Sequence, residues 1–274
     1  DEEAIMVQEI FNEKYEGRFV WKLVQLIGEY NADADVNATD ASSYSSLSIA
    51  AFMLFFFSII YVTLGHRGKI FWVSLVHALM VGIGSIICIY LDGYAESISG
   101  TPEPLRVIRC EGPLTNLHRI LPSISLGYGF FDIMYGIKDN EILNLIHGVA
   151  FTVIMYLPIA WGHPESVTPM LIMEVSSIFL NTMKNNFSTA KSKMLLQLGF
   201  AVSFIGCRMF VATYLWFQFL RTLHNHQDDI GDCFPHNLFM YVFVFGMIFH
   251  CLNTYWSIKI IIIFRAKLRK FKSG

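Results

Sequence analysis

Apolar residues come in seven blocks along the chain, at roughly 46–65, 70–92, 118–137, 141–161, 166–184, 194–222 and 237–264. Each is close to the ~20 residues a helix needs to cross a hydrocarbon core about 30 Å thick. Barrel strands are about half as long and alternate in polarity, which excludes a transmembrane β-barrel. The pattern predicts an all-α polytopic membrane helix bundle of about seven transmembrane helices. The connections after the first, third and fourth blocks are very short, so those neighbours are expected to be antiparallel hairpins.

Residues 1–30 have a different rhythm. Glu2, Glu9, Lys14, Arg18 and Lys22 are interleaved with Ile5, Ile10, Phe19, Trp21 and Leu23. This predicts an N-terminal amphipathic helical segment lying on a membrane or a partner. Residues 31–45 are small, polar and acidic, as in a loop. The organisation is therefore an amphipathic segment and acidic loop (1–45), a transmembrane bundle (46–264) and a basic tail (265–274). The first residue is Asp1 rather than Met, which leaves room for a preceding, cleaved targeting segment.

Composition works mainly by exclusion. Of 274 residues, 54% are hydrophobic and only 15% are Asp, Glu, Lys or Arg, against about a quarter in soluble domains. A disordered chain and a soluble enzyme are both excluded, and no basic run calls for nucleic acid. The distribution of cations predicts orientation. Arg67, Lys69, Lys138, Lys184, Lys191, Lys193 and the tail from Arg265 fall on one side, and Asp228, Asp229 and Asp232 on the other. The basic-side rule then places the N-terminus outside and the C-terminus inside. An ER-like endomembrane and the mitochondrial inner membrane both fit.

Three of five cysteines lie within blocks. Cys110 and Cys233 fall in the two outer loops and form a candidate disulfide for an oxidising compartment. No C-x-x-C pair is present, so no metal framework is expected, and no cofactor either. Asn37-Ala38-Thr39 is a glycosylation sequon on the outer side, and Asn186-Phe187-Ser188 one on the inner side.

Titratable groups inside the spans carry the most information, because each costs a few kcal/mol unless it faces a bundle interior, a partner or a cavity. They are His77, Asp132, His147, Glu174, Arg208 and His250. Helical spacing adds Asn181 to the Glu174 face and Asn253 to the His250 face. His77, Asp132 and His147 fall at one depth, and Glu174, Arg208 and His250 at a deeper one. The first set makes an acid–base cluster in which Asp132 orients His147, and the second a buried ionic network. The functional reading is a lipid or acyl-chain site open toward the inner leaflet. The alternative is that these groups satisfy one another and only fix helix register.

At these residues the chain resembles the TLC-domain family, which includes ceramide synthases and non-synthase membrane proteins. Ser74-Leu75-Val76-His77-Ala78 is similar to that family's S-x-x-H-A segment, and Gly127-Tyr128 with Asp132 to its G-Y-x-x-x-D segment. Glu174 to Asn181 resembles E-x-S-x-x-F-L-N, Arg208 falls where a membrane arginine is usual, and Leu252-Asn253-Thr254-Tyr255-Trp256 is similar to L-N-x-Y-W. His147 stands where the family has a His-His pair, but only one His is kept, and a further acidic motif of the synthases is missing. The resemblance therefore implies the non-synthase branch, associated with membrane lipid composition, sensing or trafficking. Three functions remain open in rank order. The first binds, senses or presents a membrane lipid. The second is a non-catalytic subunit of a larger membrane complex, a mitochondrial one included, contacting other subunits through residues 1–30. The third is a ceramide-synthase-like acyltransferase using His147 with Asp132.

Overall fold

A computed structural model describes residues 39–64, 69–111, 114–184, 190–235 and 237–273. The amphipathic segment expected over 1–30, most of the acidic loop and both sequon asparagines lie outside the described residues. Among the described residues there is no strand. Without water in the bilayer core, each apolar block has to satisfy its own backbone, and a helix does so within one segment. The blocks accordingly form α1 (Thr39–Thr63), α2 (Lys69–Ser99), α4 (Asn116–Lys138), α5 (Ile142–Ala160) and α9 (Leu238–Ser273). A short α3 (Glu103–Ile108) forms in the loop after α2.

Among the described residues, five helical stretches are long and apolar enough to cross a membrane: Ser45–Thr63, Ile70–Ser99, Asn116–Lys138, Ser192–Asn225 and Leu238–Arg265. Asn144–Ala160 is a shorter apolar helix. The block at 166–184 is not the single straight helix expected of it. Pro164 and Pro169 lack an N–H, and each opens a 3₁₀ stretch, Pro164–Val167 and Pro169–Glu174, before α6 (Val175–Lys184). The count of seven therefore does not follow from helix length. The block at 194–222 is also composite, with α7 (Ala190–Ser203), a π-helical stretch at Phe204–Val211 and α8 (Ala212–Asn225). The first helix begins at Thr39, inside the expected loop, and α9 runs on through the segment read as a separate tail.

α4 is the centre of the bundle. Of its apolar window 67% is buried, against 6% for Ser192–Asn225 and 11% for α9, so the last two stretches are peripheral. Phe57 of α1, Val73 and Val81 of α2, Leu126 of α4 and Phe151 of α5 share one buried core. α4 and α5 pack closely because glycines on each let the other helix's backbone approach, as small residues usually do between membrane helices. A side chain at Gly136 would meet the backbone of Leu145, and one at Gly148 the backbone of Ile133. The hairpin between them turns at Asn140, with φ 58°, a left-handed position that asparagine tolerates. The Glu141 amide donates to the Gly136 carbonyl at 2.9 Å and closes the end of α4.

A second buried cluster caps one end of the bundle. Val107 and Ile108 of α3, Phe219 and Leu223 of α8, and Phe234 and Leu238 pack there.

Candidate functional site

The close approach allowed by Gly148 sets one pair. His147 Nδ1 donates to Asp132 Oδ2 at 2.9 Å. The carboxylate is buried, whereas the imidazole side chain is 55% exposed, so the pair points from the core to the bundle surface. Asp132 holds the ring by one nitrogen and leaves Nε2 outward, the arrangement expected of an oriented base. The ring stacks on Phe151 with centroids 5.6 Å apart.

His77 does not join that pair by a hydrogen bond. It is buried among α1, α2, α4 and α5, its ring stacked on Tyr128 at 4.0 Å with planes 8° apart. Its Nε2 lies 3.3 Å from Ser125 Oγ, and Tyr128 Oη lies 2.8 Å from Ser74 Oγ. The Nδ1 of His77 is buried with no hydrogen-bond partner among the described residues.

Arg208 and Glu174 do pair. Arg208 sits in the π-helical stretch Phe204–Val211. Such local widening of a helix re-aims a side chain and is frequent at functional positions. From it Arg208 Nε donates to the Met173 carbonyl at 3.1 Å and to Ser176 Oγ at 3.0 Å, and one terminal nitrogen donates to Ser177 Oγ at 3.3 Å. Its guanidinium is 3.7 Å from Glu174 Oε1, an ion pair rather than a close hydrogen bond. Asn181 is buried further along α6.

His250 corrects the expected network. Its Nδ1 lies 3.2 Å from Thr213 Oγ1 and its ring 4.6 Å from Trp216, so its partners are on α8 and not the Glu174–Arg208 pair. Asn253 is buried and points its amide at Met173 Sδ, 3.8 Å away.

What joins Glu174, His250 and Asn253 is a cavity of about 440 Å³ between α2, α5, α8 and α9, which all three line. That size is within the range of small-molecule sites. The lining along α9 runs from Leu238 to Asn253, about 22 Å of helix. Ile154, Met155, Leu215, Phe219 and Phe245 supply apolar walls. His77, Asp132, His147, Asn181 and Arg208 are not among the lining residues.

The cavity lining extends from Glu174 to the α3 end of the bundle. Glu174 packs beside Gly82 of α2, and Asp92 lies about 15 Å further along that helix, toward the α3 end. The α3 end carries Asp92, Glu96 and Glu103 in the lining, with Trp161 and Phe234 beside them. Sequence reasoning missed this acidic end. Asp92 stood at a block boundary, and its partners come from elsewhere: Arg106 at 3.2 Å and His118 Nε2 at 3.2 Å. Thr115 holds the other nitrogen of His118 at 2.9 Å. Glu103, outside the spans, is pushed up to about 8 by burial first and by the Asp92 charge second. Its folded value is above its unfolded one, so ionisation disfavours the fold progressively as pH rises from about 4.5 toward about 8. Glu103→Gln is therefore expected to raise the unfolding midpoint at pH 8 by a few degrees and to leave it nearly unchanged at pH 4, as read by thermal unfolding in detergent.

At the same end Cys110 and Cys233 are joined by a disulfide, with Cα atoms 6.3 Å apart across 123 residues of sequence. His163 Nδ1 donates to Glu165 Oε1 at 2.9 Å nearby, and both side chains are buried. That pair also escaped the sequence reading, although the two residues flank Pro164.

The family model described as TLC domain matches residues 67–262. That range takes in every candidate side chain of the pairs and the cavity. Searches of curated proteins and of solved structures return no match.

Proposed function

The chain is an integral membrane protein of the TLC-domain family, and on that premise we propose that it binds a membrane lipid or acyl chain in this cavity, to sense or present it. One observation carries the reading: an elongated cavity with apolar walls and polar groups at both ends, inside a membrane bundle. An acyl chain suits the walls, and a headgroup suits an end where polar side chains already face inward. The function is binding rather than acyl transfer, because the Asp132–His147 pair opens on the bundle surface and lies outside the cavity lining. The cation distribution supports placing the disulfide end outside and the C-terminus inside.

Ala212 tests the cavity directly. It is buried, lines the cavity and follows the π-helical stretch. Ala212→Trp is expected to remove most of the lipid that co-purifies with the chain, measured by extraction and mass spectrometry, while His147→Ala leaves it unchanged. Equal lipid in wild type and in a folded Ala212→Trp variant would count against the reading.

A further inference from the structure

Two loops far apart in sequence meet beyond the α3 end of the cavity. One carries Cys110, the other Cys233, and His163 lies beside them. The two sulfurs and a ring nitrogen of His163 all lie within 4.8 Å of one another. A disulfide needs only compatible backbone positions and places no demand on its neighbours. Here the neighbours are specific. Glu165 accepts from His163 Nδ1 at 2.9 Å, which directs the other ring nitrogen away from the carboxylate. The second oxygen of Glu165 is buried without a hydrogen-bond partner among the described residues. A carboxylate holding the outer nitrogen of an imidazole is the usual support of a metal-ligating histidine. Two thiolates and an imidazole are a zinc donor set.

We propose that Cys110 and Cys233, when reduced, bind Zn²⁺ together with His163, and that the disulfide and the metal are alternative occupants of one place. Reduction by a dithiol passes two electrons and two protons to the S–S bond, giving two thiols and the oxidised reductant. Zn²⁺ then displaces both thiol protons and forms two Zn–S bonds and one Zn–N bond, with water in the fourth position. Zn–S bonds of about 2.3 Å at a tetrahedral centre set the sulfurs roughly 3.8 Å apart, so they need only separate from bonding distance while their backbones stay close. Other contacts hold the loops together when the S–S bond opens. The Gly231 amide donates to the Ile108 carbonyl at 2.9 Å, and Phe234 packs with Val107 and Ile108. The 123-residue separation is why no ligand spacing was legible in the sequence.

The test uses the full chain in lipid nanodiscs, reduced with a phosphine and titrated with Co²⁺ without oxygen. The expected result is one Co²⁺ per chain, with thiolate-to-cobalt charge transfer and tetrahedral d–d bands. Zn²⁺ displaces it and raises the unfolding midpoint above that of the reduced, metal-free chain. The oxidised chain takes up none. Glu165→Gln weakens binding about tenfold, and His163→Gln weakens it more. Cys88, Cys207 and Cys251 remain in every variant, so Cys110→Ser with Cys233→Ser reports their background. The proposal is overturned if the reduced chain binds no Co²⁺, if the double-serine variant binds as well, if His163→Gln binds like wild type, or if reduction alone unfolds the bundle.

Discussion

Arg208→Met is expected to destabilise the bundle by about 3–5 kcal/mol, the usual cost of removing one partner of a buried ion pair. Methionine keeps most of the volume, so the loss is electrostatic. Glu174 is left as a charge in the bundle interior, and the Met173 carbonyl and the hydroxyls of Ser176 and Ser177 lose their donor. Adding Glu174→Gln removes the stranded charge and is expected to recover about 1–3 kcal/mol. A double-mutant cycle in detergent, followed by denaturant unfolding, reads the coupling. Strictly additive effects would mean that Glu174 and Arg208 do not support each other.

The second large effect is at the capped end. Replacing Cys110 and Cys233 together by serine is expected to cost roughly 3 kcal/mol, because the bond closes a loop of more than a hundred residues. The loss falls on α3 and the α8–α9 connection, which the bond ties together. Hydrogen exchange of Glu103–Ile108 is therefore expected to speed up more than exchange in α4. Uniform acceleration across both helices would instead assign the bond a global role.

The membrane made the helices legible. Each apolar block has to carry its own backbone hydrogen bonds, so block and helix nearly coincide for 118–137 and 141–161. Irregular backbone left less trace. Pro164 and Pro169 announced a break in the block at 166–184, and the pattern of apolar residues hid it. The π-helical stretch around Arg208 has no compositional mark at all, because one extra residue per turn leaves the apolar run intact. Depth along a helix could be counted in residues, and it set Asp132 level with His147, 2.9 Å apart in the structure. Rotation about the helix axis could not be counted. Counting residues puts His250 at the depth of Glu174, yet its ring turns to Thr213, and the His147 ring reaches the bundle surface. The acidic end of the cavity was the least legible part. Asp92 takes its partners from α3 and α4, and only tertiary packing brings Arg106 and His118 to it.

Native mass spectrometry of the chain, extracted from its own membrane in mild detergent, tests the central claim most directly. The cavity predicts a single chain carrying one lipid or acyl adduct, lost in Ala212→Trp and kept in His147→Ala. A larger complex of defined partner chains, with no lipid on this one, would contradict it and make the cavity a packing feature of a subunit.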